Sequence, residues 1–169
     1  MAISNLKDLY VHELDDLYSA ECQIIDALPQ MVDASYDPVL KRAFQKHLEV
    51  TREQKRRLEK IFSQLQVQPG NVTCEGMEGI IKEGQMFIKK DKSFFREDID
   101  KDVLNAALIG SAQRVEHYEI SAYGTARSWA NLLGFSEQAA LLQQTLEEEV
   151  ETDRELSGIA ETSINALAA

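Results

Sequence analysis

Proline and glycine are scarce: 3 prolines and 8 glycines in 169 residues leave room for long uninterrupted helices. Cysteine is scarcer still. Cys22 and Cys74 are too few and too ill-spaced for a disulfide framework or a zinc knuckle, and both read as small apolar residues. No stretch approaches the roughly 18 uncharged apolar residues of a membrane span, so no membrane partner is expected. Residues 1–20 lack a basic start followed by an apolar run, which makes the cytoplasm the expected location. Clustered Lys and Arg are missing too. With 18 basic and 29 acidic residues the net charge is −11, the wrong sign for a nucleic-acid surface. What is present, 44% hydrophobic and 28% charged residues, is the composition of an ordinary globular protein. The length fits one domain, 1–169, with a core of its own.

Apolar residues recur at steps of three and four along four long segments, and no segment alternates with period two. The first is expected to start after Ser4 as N-cap and to reach about residue 33, with Tyr10, Leu14, Leu17, Glu21, Ile24, Leu28 and Met31 on one face. Pro29 is expected to kink it or end it early. Asp37-Pro38 opens the second, whose stripe is Leu40, Phe44, His47, Thr51, Gln54, Leu58, Ile61 and Leu65. Pro69-Gly70-Asn71 stops it. Residues 73–90 read as a shorter helix, and residues 89–97 as a loop pinned by Phe94 and Phe95. The third long helix covers residues 98–133 and ends at Gly134. Ser136 is expected to cap the fourth, with Leu142, Thr145, Leu146, Glu149, Asp153, Leu156 and Ala160 inward.

Connection lengths then set the topology. The short links predict two antiparallel hairpins, whereas about 30 residues between helices two and three can cross a bundle ~45 Å long. The expected fold is all-α: a ferritin-like antiparallel four-helix bundle whose long crossover carries a short extra helix.

Carboxylates interrupt these stripes. Glu116 and Glu119 stand among Leu108, Ile109, Ala112, Tyr123, Ala126 and Ala130 on one face of the third long helix. Glu21 does so on the first helix, Glu149 and Asp153 on the fourth. An acid facing a bundle core is costly to bury unless paired, protonated or bound to a cation. Hard cations prefer such oxygen ligands, and two cations about 4 Å apart need several carboxylates to balance them. A di-iron or di-manganese pair is therefore the expected cofactor. Its expected ligands are Glu21, Glu116, Glu119 and Glu149, with Asp153 and His47 completing the shell or supporting it from behind. Glu21 has an alternative as a lone buried acid bonded to Tyr18 or Tyr123.

Nitrogen ligands are few. Glu49 is followed at the histidine spacing by Arg52 and should face solvent, and Glu149 by Thr152. His117 points roughly 100° away from Glu116. Most of the acidic run from Glu147 to Glu151 reads as a solvated face.

Several strings resemble the bacterial YciF-type stress proteins. They are Ala-Ala-Leu-Ile at 106–109, Gln-Arg-Val-Glu-His-Tyr-Glu-Ile at 113–120 and Tyr-Gly-Thr at 123–125. His47-Leu48, Thr51, Gln54, Met77-Glu78-Gly79 and the 145–153 segment extend the likeness over nearly the whole chain. The resemblance implies a ferritin-like bundle related to rubrerythrin, often a homodimer, associated with stress responses. It also implies that Glu116 and Glu119 match the two third-helix glutamates of rubrerythrin-like sites. The chain departs from the pattern at Pro29, and at Val50, where the family carries an acid. Ferrous iron or peroxide is the expected small-molecule substrate of an active enzyme. The alternative is a structural or interaction protein whose inward acids hold no metal and bond instead to His47, Thr51, Gln54 and Tyr123.

Overall fold

The computed structural model describes residues 3–89 and 98–169. Four long helices build the bundle: α1, Leu6–Ala34; α2, Pro38–Leu65; α4, Lys101–Leu132; and α5, Ser136–Ile159. A shorter helix, α3, Glu75–Ile88, lies in the link between α2 and α4. Beyond α5 the chain widens into a π-helical turn, Ala160–Ile164, and closes with the short α6, Asn165–Leu167. No strand occurs among the described residues.

Cross-helix contacts fix the directions. Tyr18 of α1 meets Glu59 and Phe62 of α2. Lys46 and Arg57 of α2 meet Glu155 and Glu148 of α5. Gln113 and Arg127 of α4 meet Asp153 and Gln143 of α5. Along α1, Glu21 meets Tyr123 of α4, and Tyr36 just past its end meets Asn105. Rising numbers oppose falling ones between α2 and α5, α4 and α5, and α1 and α4, so these neighbours are antiparallel. Consequently α2 and α4 run parallel, with α3 lying in the link between them. This is the single-crossover, ferritin-like arrangement.

Local chemistry explains the helix ends and corrects some expectations. Asn5, not Ser4, caps α1: its Oδ1 accepts from the Asp8 amide at 3.0 Å, while Ser4 donates to Asp8. Asp37 accepts from Val39 and Leu40 with Pro38 in the first turn, as expected. Asp100 caps α4, so that helix starts a few residues later than its apolar pattern indicates. Gly134 takes a φ of +77° and lets the Phe135 amide donate back to the Ala130 carbonyl at 2.9 Å. That turn is so tight that Phe135 holds the N-cap position and Ser136 is already helical. Phe94 and Phe95, read as pinning the crossover, lie outside the described residues.

Pro29 neither ends α1 nor shortens it, since the helix continues to Ala34. Exposed on that helix, it leaves the Ile25 carbonyl without its intrahelical donor. Pro29→Ala restores the donor, partly offset by the looser unfolded chain. We expect a stabilisation of about 1–2 kcal/mol, read from urea midpoints at unchanged slope.

The core is split in two. One apolar half gathers Ile24, Leu28, Leu40, Phe44, Leu108 and Leu156 at the end that holds the α1–α2 turn. The other gathers Tyr10, Leu14, Leu58, Ile61, Tyr123 and Leu142 at the opposite end. A buried polar layer lies between them: Glu21, His47, Thr51, Gln54, Glu116, Glu119, Thr145 and Glu149. Against the outside of α1 and α4 packs α3. It comes so close to α4 that a Cβ on Gly84 would stand 3.2 Å from that of Ser111.

Candidate metal centre

Each bundle helix delivers its polar residues to the same height. On α1 the step from Leu17 to Ile24 passes through Glu21; on α2 the steps from Phe44 to Leu58 pass through His47, Thr51 and Gln54. On α4, Glu116 and Glu119 lie one turn apart, and on α5 Glu149 follows Thr145 by one turn. Spacings of three and four keep all of them on the inner faces.

His47, Glu116, Glu119 and Glu149 converge most closely. One ligand atom from each lies within 4.8 Å of the others, and His47 Nδ1 is 3.4 Å from Glu116 Oε1. Glu21 is also fully buried and faces the same layer from α1. Partners are few. Gln54 donates to Glu149 Oε1, and the Tyr123 hydroxyl donates to Glu21 Oε1. Both oxygens of Glu119, both ring nitrogens of His47 and the second oxygen of Glu21 have no hydrogen-bond partner, and beyond Gln54 the carboxyls of Glu116 and Glu149 find only each other. Thr51 gives its hydroxyl to the His47 carbonyl instead, and Tyr18 bonds Glu59 rather than Glu21.

Desolvation raises Glu21, Glu116 and Glu119 well above the ordinary carboxylate range, and the charge of Glu149 adds to it. Burial pushes Glu149 to about 7 and lowers His47 to about 4. His47 is therefore a neutral imidazole near neutral pH, the form that ligates metals. Arg57 acts on Glu21 and Glu149 through its charge. It is already committed, however, to Glu148 through contacts of 2.6 and 2.7 Å.

For the metal-free protein these shifts give a signed prediction. A carboxyl raised on folding contributes stability that is complete below its unfolded pKa and lost as pH rises through its folded one. His47 has the opposite sign, and its contribution is complete once pH exceeds the ordinary histidine value. Four acids outweigh one imidazole between the ordinary carboxylate range and pH 7, and above that they act alone. Chelator-treated protein should therefore melt lower at pH 8 than at pH 6, by roughly 5–10 °C, in scanning calorimetry at fixed ionic strength.

Asp153 stands apart from the cluster. One turn beyond Glu149, its short side chain is drawn to the α4–α5 seam by Gln113 at 3.0 Å and His117 at 3.4 Å. There it is 22% exposed. Its charge still bears on Glu116 from outside the cluster of His47, Glu116, Glu119 and Glu149. Glu49 faces solvent as expected, at 70% exposed, and His117, turned away from Glu116, is 69% exposed. Val50 lines a pocket of about 20 Å³ beside His47 and Thr152. The Arg57–Glu148 pair went unread in the sequence. The signal was there: Arg57 follows Gln54 by one turn on the inner edge of α2.

The donor set fits a cation pair. Neutral imidazole and carboxylate oxygens are ligands suited to iron and manganese. Ionised, Glu21, Glu116, Glu119 and Glu149 carry four negative charges, which two dications would neutralise.

A single-crossover helical bundle with a buried layer of acids defines a ferritin-like protein. The chain belongs to the DUF892 family, a domain of unknown function, which it matches over residues 5–169. It is 37% identical over 166 residues to Protein YciF of Escherichia coli K12, covering 98% of this chain and 96% of that protein. The crystal structure of the E. coli stress protein YciF superposes with a TM-score of 0.88 at 36% identity, covering 96% of this chain and 99% of that one. YcfI of Rhodopseudomonas palustris, described as a proposed structural protein, gives 0.83 at 37% identity over 92% and 94% of the two chains. A Xanthomonas campestris protein shares the fold, with a TM-score of 0.73 at 21% identity over 96% and 95%. None of the described helices is long and apolar enough to cross a membrane.

Proposed function

We propose that this chain, like the E. coli relative described as a stress protein, acts in a stress response by holding a pair of iron or manganese ions in its core. His47, Glu116, Glu119 and Glu149 would ligate, and Glu21 would supply a further carboxylate. The observation that carries this reading is the convergence of four ligand atoms within 4.8 Å in a layer whose acids are almost wholly unpartnered. Burying such a layer without a compensating charge is costly. When bound, such a pair supplies one-electron chemistry toward ferrous iron or peroxide. The chain's own residues do the rest. Gln54 and Tyr123 each hold one oxygen of Glu149 and Glu21, leaving the other free. Asp153 supports the site from behind, and the two apolar halves keep bulk water away.

Protein purified without chelators should carry about two metal ions per chain, counted by plasma mass spectrometry. Crystals grown with ferrous iron should show anomalous density between the ligands. A second reading, a metal-free structural bundle, is favoured by the two hydrogen bonds to Glu149 and Glu21 and by the description of the R. palustris relative. A metal count of zero would select it.

A further inference from the structure

We infer that dioxygen reaches the carboxylate layer through an apolar cavity between α1, α3 and α4. The cavity encloses about 30 Å³ and ends on His47 and Glu116. Its walls are Ile24 and Leu28 from α1, Ile81 and Ile88 from α3, and Leu108 and Ala112 from α4. At its outer end it shares Ala27, Ile81 and Gln85 with an open groove of about 440 Å³ between α1 and α3. Groove and cavity thus share a wall of three residues, and the cavity's lining reaches the buried His47 and Glu116.

The path has a chemical preference. Outside, the groove is polar and carries Asp26, Glu78, Lys82 and Lys89. Inside, the Ser111 hydroxyl is already committed to the Ala107 carbonyl at 2.9 Å, so a passing solute finds almost no hydrogen-bond partner before His47. A dication would lose its hydration there at prohibitive cost. Peroxide or water would lose several kcal/mol of hydrogen bonding. Dioxygen gives up almost nothing. Size excludes longer apolar molecules, because a chamber of 30 Å³ is about a tenth of a typical organic-ligand pocket. It exceeds the roughly 10–15 Å³ that one water-sized molecule needs.

This deepens the proposed function: what dioxygen meets at the floor rests on that reading, while its passage through the cavity does not. The test uses metal-free, methyl-labelled protein under several bar of dioxygen, whose paramagnetism accelerates relaxation of nearby protons. Methyls of Ile24 and Leu108 should relax several-fold faster than those of the equally buried Leu58 and Ile61. Xenon-pressurised crystals should show an anomalous peak among the same residues. Ala27→Phe at the mouth should remove both signals while manganous ion still raises the melting temperature. Ala112→Phe, which fills the chamber, is the second variant should the first not fold. Uniform relaxation, no xenon peak, or signals unchanged in a folded variant would overturn the inference. A xenon peak without any manganous stabilisation would sink the metal reading and leave the path standing.

Discussion

Manganous or ferrous ion added to chelator-stripped protein should raise its melting temperature by about 10 °C. An ion that binds only the folded chain, at a thousandfold excess over its dissociation constant, contributes about 4 kcal/mol. For a domain of this size each kcal/mol moves the melting temperature by about 2–4 °C. The ion must displace protons from Glu21, Glu116, Glu119 and Glu149, all raised by burial. The gain should consequently grow between pH 6 and pH 8, opposite in slope to the metal-free protein. Differential scanning fluorimetry across that range reads both slopes. An unchanged melting temperature with either metal at pH 8 would exclude occupancy of this layer.

Exchanging Glu116 and Glu149 together for glutamine should cross these effects. Without metal, the double variant loses two acids that repel each other in a desolvated layer and keeps nearly the same volume. Replacing buried charge by neutral groups of similar shape often stabilises by about 1–4 kcal/mol. At pH 8 the metal-free variant should therefore melt roughly 5–10 °C above the metal-free parent. With manganous ion the order should reverse, because two ligands are gone. A variant less stable than its parent in chelator would show that the acids are held by bonds beyond those from Gln54 and Tyr123. Gln54 is the residue to examine in that event, since it already donates to Glu149.

Much of this was legible before any coordinates. Glu21, Glu116, Glu119, Glu149 and His47 each occupy a step of an otherwise apolar stripe, and that period is strict enough to assign a face. All five are buried. Asp153 obeyed the same period and still fell outside, because its short side chain found Gln113 and His117 at the seam. Periodicity gives the face of a helix, not the reach of a side chain or the pull of its neighbours. Helix ends shifted for a related reason. Asn5 took over capping from Ser4, and Asp100 set the start of α4 a few residues beyond residue 98, through hydrogen bonds that depend on local backbone geometry. The apolar path could not be read at all. Only tertiary packing brings Ala27 of α1, Ile81 of α3 and Ala112 of α4 to line one cavity.

The parallel course of α2 and α4 has a further consequence. Of the candidate ligands, the first hairpin brings Glu21 and His47 to the layer, and the second brings Glu116, Glu119 and Glu149. Neither hairpin carries a full grip on an ion. An ion bound there, as proposed, would work as a clasp between two halves that the backbone joins by one long link, and metal supply would set how firmly the halves stay shut.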